Sequence, residues 1–197
     1  SFHPKWRYNI RLAQRKGVTV RPAGREDVDT FYDLLLITGQ RDGFRVRTRS
    51  YFHDIWDLII APGLGHMVLA EVNGVPVSGA IVFALGHQCW YVYGASDNHH
   101  RNLMPNHLVQ WELMRWAMAR GCTVYDMRGV SPEVGGKPVE PRLAGLNRFK
   151  RGFGARYVEY IGDWDCVFSR AWYFAFQRLL PVARKVLARR SGVEAEA

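Results

Sequence analysis

The chain lacks any run of about 18 uncharged apolar residues, so no membrane-spanning helix is expected. No apolar signal-peptide core follows Ser1, and the expected location is cytoplasmic. Cysteine is scarce: Cys89, Cys122 and Cys166 are odd in number, far apart and without zinc-ligand spacing, which excludes a disulfide framework and leaves them as expected buried packing residues. Neither a Gly-x-Ser-x-Gly elbow nor a P-loop is present, which removes hydrolase-type serine chemistry and Walker-type phosphate binding. His99, His100 and His107 have no carboxylate or cysteine at fixed ligand spacing, and no metal is expected. Acids are missing from long stretches. Residues 1–25 carry seven Lys or Arg and none, Arg142 to Arg156 five and none, and Arg170 to Arg190 six and none.

What is present follows from that last absence. The formal net charge is +9, and its segregation points to a polyanionic partner, because clustered cations release counterions from phosphates. Nucleic acid, a nucleotide diphosphate and an anionic membrane all satisfy that chemistry. The basic, amphipathic C-terminal stretch also suits peripheral contact with the inner membrane face. At 197 residues the chain can bury one real core. The expected organisation is a basic lead-in helix over 1–17, one domain over 18–192 and a disordered tail over 193–197.

Periodicity predicts the elements. Trp6, Ile10 and Ala13 mark a cationic amphipathic helix stopped by Gly17, and Val18 to Arg21 a short strand. Val28, Phe31, Tyr32 and Leu35 line a helix expected to end at Gly39, and Tyr51, Ile55, Leu58 and Ile59 line another. The period then changes. His66 to Val72, Val75 to Leu85 and Cys89 to Tyr93 read as a meander whose first turn is Asn73-Gly74. A helix over Pro105 to Arg120 and a strand over Thr123 to Met127 follow. A loop (Gly129 to Pro141), a short helix (Arg142 to Lys150), a hairpin (Ala155 to Ile161 with Trp164 to Phe168) and a helix bent at Pro181 complete the chain. This is an α+β plan with a mixed, mostly antiparallel central sheet, the plan of a GNAT-like acyltransferase fold, in which the sheet splays to admit an acyl donor.

Acyl-CoA enzymes of that fold cradle pyrophosphate with a Gly-rich loop at the start of the helix after the meander. Here the loop runs Asp97-Asn98-His99-His100-Arg101-Asn102-Leu103-Met104-Pro105, without glycine, which hinders close backbone approach. A transferase with this loop is expected to use another donor. Asp97 reads as a helix cap.

Five segments in order then resemble the Fem-type (FemXAB) peptidyltransferases. They are Lys5-Trp6-Arg7-Tyr8-Asn9-Ile10-Arg11-Leu12-Ala13, Thr38-Gly39-Gln40-Arg41-Asp42-Gly43-Phe44 with Arg47 and Tyr51, the strand ends Tyr91 to Ser96 and Tyr125 to Val130, and Arg148-Phe149-Lys150-Arg151-Gly152-Phe153-Gly154 continuing to Tyr160 to Asp165. The resemblance is to the second of that family's two GNAT-like domains. It implies a missing N-terminal GNAT-like domain and an aminoacyl-tRNA-dependent transferase that adds an amino acid to a peptidoglycan precursor, a muropeptide nucleotide or its lipid-linked form. It implies no cofactor beyond the aminoacyl-tRNA donor. By resemblance Lys150 is the catalytic cation holding the aminoacyl ester and its oxyanion, Phe149 flanks the tRNA acceptor end, Arg47 binds phosphate, and Tyr51 and Tyr93 face the substrate. Arg41, Arg45 and Arg49 are alternatives to Arg47. Asp126 and Arg128, alternating on a strand, read as a structural pair or as residues lining the cleft. Two other readings are an aminoacyl transferase acting on lipid or protein, and a non-catalytic module that binds RNA or a membrane.

Overall fold

The computed structural model describes residues 1–135, 137–162 and 164–183. It forms two compact units, Ser1–Tyr157 and Val158–Ala197. The division after Tyr157 falls inside the segment expected as one domain, and the lead-in helix is built into the first unit. The expected tail over 193–197 lies outside the described residues.

The first unit is one five-stranded sheet between two helical layers. Its strands are β1 (Val18–Pro22), β2 (Gly65–Val72), β3 (Val75–Leu85), β4 (Gln88–Ser96) and β5 (Val124–Asp126), in that spatial order. The first four pair antiparallel, and β5 joins β4 in parallel. The parallel partner requires a crossover, and helix α4 (Pro105–Ala119) supplies it.

Strand alternation divides the core in two. On β2, Val68 and Ala70 point to α1 (Pro4–Arg15) and α4, where Trp6, Ile10, Ala13, Leu108, Val109 and Leu113 are buried. Met67 and Leu69 point the other way, to Val28, Phe31 and Leu35 of α2 (Val28–Asp42) and to Phe52 and Ile55 of α3 (Arg49–Ile55). Both faces are covered, so the strands read as nearly continuous apolar runs.

Helix α2 passes through Gly39 and ends at Gly43, whose φ of 72° is left-handed and whose N–H returns to the Gly39 carbonyl. The end expected at Gly39 is therefore one turn early. The loop after β5 contains a small two-strand pairing, β6 (Glu133–Val134) with β7 (Lys137–Pro138), and leads into α5 (Ala144–Gly152).

In the second unit the expected hairpin over 155–168 does not form among the described residues, whose backbone carries no strand there. Ile161 is 88% exposed and Phe168 95% exposed. A β-patterned segment stays irregular when no neighbouring strand completes its ladder. Helix α6 (Arg170–Phe174) continues as a π turn at Ala175–Leu179, just ahead of Pro181. The cysteines divide as well: Cys89 is buried, Cys122 half-buried and Cys166 exposed, which corrects the expectation that all three are interior.

Candidate active site at the splayed end of the sheet

The sheet opens between β4 and β5 for a local reason. They share three rungs, Gln88–Val124, Cys89–Tyr125 and Trp90–Asp126. Beyond Trp90, strand β4 leaves β5 and continues to Ser96 paired with β3. Against β3, Ile81 faces Tyr93 and Val82 faces Tyr91, so Val92 is an unpaired bulge residue. A bulge bends and over-twists its strand, which carries the end of β4 away from β5. The bulge also brings the Tyr91 hydroxyl against Gly94, where any side chain would collide with it.

On the β4 side of the opening, the Tyr93 hydroxyl lies 3.0 Å from that of Tyr51. Burial, and then the bond with Tyr51, pushes the Tyr93 phenol up to about 12, so it stays protonated and can donate. Phe52 takes the core position of α3, while Tyr51 is turned to the surface. Arg47 does not share a helix with Tyr51, because Thr48 caps α3 and Arg47 precedes it. Its guanidinium nevertheless sits 5.9 Å from the Tyr51 ring centre. Two of the alternative arginines are engaged elsewhere. Arg49 pairs with Asp29 and Asp33, and Arg41 binds Asp42 and the Ser96 carbonyl.

On the β5 side, α5 grips the loop that follows the strand through three residues on one face, at i, i+3 and i+4. Asn147 accepts from the Ser131 N–H at 3.0 Å and donates to the Ser131 carbonyl at 2.8 Å. Arg151 pairs with Glu133 at 2.6 Å. Between them Lys150 is buried, and its Nζ donates to the carbonyls of Gly129 at 2.5 Å and Arg128 at 3.3 Å. Burial lowers the Lys150 ammonium from 10.5 to about 8, opposed by Asp126 and reinforced by Arg128. Arg128 also acts electrostatically on Tyr93, so one cation is felt on both sides of the opening. The anchor Asn147 was missed in the sequence. Its signal, the 147/150/151 spacing, was present but indistinguishable from a basic surface stripe.

Phe149, one residue away, turns to the opposite side. Its ring meets His107 and Phe153 edge-on at 5.2 and 5.1 Å, and its carbonyl accepts from the Trp6 indole at 3.0 Å. Gly152 lies against the Trp6 ring with no room for a side chain. Helices α1 and α5 therefore dock against each other, and Trp6 holds the helix that carries Lys150 in place. His107 bonds Asn9 at 3.1 Å in that same packing, and burial pushes its imidazole down to about 4. His100 is held separately by Asp97. Asp97 caps the turn at His100, whereas α4 begins later with Met104 in its N-cap position.

A family model described as the FemAB family matches residues 1–74 and 64–180. The chain belongs to the FemAB family. Similar curated proteins include the lipid II:glycine glycyltransferase of Staphylococcus epidermidis, 27% identical over 242 residues, with 92% of this chain and 58% of that protein covered. The enzyme of the same description from Staphylococcus aureus (strain NCTC 8325) is 27% identical over 247 residues, with the same coverage of 92% and 58%. The chain thus spans little more than half the length of these FemAB relatives. Among solved structures, FemX superposes with a TM-score of 0.69 at 26% identity, covering 78% of this chain and 54% of that one. An aminoglycoside acetyltransferase from an uncultured soil metagenomic sample superposes with a TM-score of 0.58 at 8% identity, covering 79% of this chain and 99% of its own. The last likeness is one of fold, and it identifies the FemAB unit as GNAT-like.

The β4–α4 loop, Asp97 to Met104, contains no glycine. Met104 occupies the N-cap position with φ of 60°, and Pro105 follows at the first helical position, without an N–H. Calorimetric titration of this chain with acetyl-CoA is expected to show no saturable binding. A tight, stoichiometric isotherm would contradict that.

Proposed function

We propose that this chain is a GNAT-like unit of an aminoacyltransferase that moves an amino acid from aminoacyl-tRNA onto an amine of a lipid-linked peptidoglycan precursor. The observation that carries the reading is the buried Lys150 ammonium at the splayed end of the sheet, supported by the glycyltransferase relatives. The donor ester is already activated. The acceptor amine attacks its carbonyl carbon, a C–N bond forms, and the carbonyl oxygen takes up negative charge. Collapse breaks the C–O bond to the terminal ribose. The proton released by the amine passes to that ribose oxygen, directly or through water.

Within this reading Lys150 uses two of its three N–H bonds on the Arg128 and Gly129 carbonyls. The third is available to the developing oxyanion, in a site where fixed charge is not diluted by water. Tyr93 and Tyr51 orient the acceptor and Arg47 meets a phosphate oxygen, while Phe149, on the opposite side of α5, packs against His107 and Phe153 and steadies the helix that carries Lys150. The acceptor's lipid anchor would place the reaction at the inner face of the cell membrane.

The pH profile separates a cationic from a basic role for Lys150. An alkylamine acceptor has a pKa of about 10.4, so its reactive fraction rises tenfold per unit through the neutral range. If Lys150 must be protonated, its titration near 8 cancels that rise. The expected log kcat/KM of the full-length protein with aminoacyl-tRNA and lipid-linked precursor climbs with a slope of about 1 and levels off near pH 8. Lys150→Arg, permanently charged, should continue to climb. A slope of about 2 that falls to 1 would assign Lys150 as the base instead. No transfer from any aminoacyl-tRNA would defeat the proposal as a whole.

A further inference from the structure

Asp126 has no part in the mechanism so far, yet three features of the backbone converge on it. It is the last residue of β5 and forms, with Trp90, the last rung before the sheet opens. Its Oδ1 accepts from the Arg128 N–H at 2.6 Å, closing a turn through its own side chain. Arg128 in turn has φ of 57°. Among the described residues only Asn73 and Met104 share a positive φ without being glycine, and Asn73 sits in the Asn-Gly hairpin turn where that conformation is common. Such backbone is disfavoured for an arginine and persists only where its surroundings hold it. Here the consequence is specific. The reversal at Arg128 presents two successive carbonyls, its own and that of Gly129, to the Lys150 ammonium.

We propose that Asp126 is a positioning residue for Lys150: its carboxylate holds the left-handed turn at Arg128 so that the Arg128 and Gly129 carbonyls grip the ammonium, and its negative charge offsets the cost of burying that cation. The proposal rests on the assignment of Lys150 to the transfer step, but part of its test does not. The charged groups around Lys150 are few. Asp126 favours its charge and Arg128 opposes it. Arg151 on the same helix is paired with Glu133. His107 of α4, reached through Phe149, is neutral above about pH 4. Tyr93 is neutral over the working range. Asp126 is thus the acid that acts on Lys150 among the described residues.

The decisive measurement is the pH midpoint of Lys150 acetylation by acetic anhydride, which leaves acetate, read by mass spectrometry on the full-length protein without substrate. The wild-type midpoint is expected near 8. Asp126→Asn keeps an oxygen for the Arg128 N–H and drops the charge. It should lower the midpoint by about one unit and move the levelling of the pH–rate profile with it. Asp126→Ala removes the acceptor too and should cost about tenfold or more in transfer, with much of that loss absent in an Arg128→Gly background, because glycine takes the left-handed turn unaided. Melting curves of each variant exclude unfolding. An unchanged midpoint in Asp126→Asn, or an equal cost of Asp126→Ala in both backgrounds, overturns the positioning role. Full activity of Lys150→Met would instead sink the transfer reading, while the acylation midpoint would still decide whether Asp126 holds Lys150.

Discussion

Lys150→Met in the full-length protein is expected to slow single-turnover transfer by about 10²- to 10³-fold, the usual cost of losing one donor aimed at a developing oxyanion. The fold should survive. Lowering a lysine from 10.5 to about 8 means that the buried charged form costs the native state about 3 kcal/mol. Methionine removes that cost and keeps most of the stem, and the loss of a donor to the Gly129 and Arg128 carbonyls offsets part of the gain. The sign can be checked. Below about pH 8 the native and unfolded chains both carry the charge, and the whole cost is present. Between there and 10.5 only the unfolded chain remains protonated, so wild-type stability gains with pH while that of Lys150→Met does not. Lys150→Arg should recover only part of the rate, since a planar fork does not reproduce a compact ammonium gripped by two carbonyls. Normal single-turnover transfer by well-folded Lys150→Met would remove Lys150 from the chemistry.

A tRNA acceptor stem should bind with an affinity that falls about 10³-fold or more between 50 and 200 mM salt, as expected for a protein that neutralises several phosphates. The structure shows where that charge is available. Helix α1 buries Trp6, Ile10 and Ala13 against the core and leaves Arg7, Arg11 and Arg15 as a stripe on its exposed side. None of the three forms a salt bridge among the described residues, and Arg15 instead lies over the Tyr8 ring at 5.5 Å. Replacing Arg7 and Arg11 with glutamine should reduce the magnitude of the salt slope by roughly 1.5 to 2 without unfolding the protein, because neither side chain is packed. Binding that is absent at low salt, or that does not respond to salt, would defeat the electrostatic reading.

Local signals located most elements of the first unit. The Asn73-Gly74 turn, with φ of 52° and 77°, joins β2 and β3 where the dipeptide marks it. The apolar stripe of α4 is buried as its spacing implies. The errors have a common cause. Gly39 is a competent helix terminator, but Gly43 four residues later makes the left-handed turn, and nothing local ranks the two. The segment over 155–168 has strand composition but no partner among the described residues. Arg47 and Tyr51 meet although the helix begins between them.

By itself the sequence determined the order of elements, the mixed sheet, the glycine-free β4–α4 loop and the run Arg148 to Gly154, because period, turn chemistry and motif are written in neighbouring residues. Only tertiary structure decided the chemistry of the site. Whether a lysine is a solvated surface cation or a buried one held near pH 8 depends on groups distant in the chain, here Asp126, Arg128 and Gly129 reached from α5, with Trp6 of α1 locking that helix down. Desolvation and charge act through space at a few ångströms, and sequence separation does not report that distance.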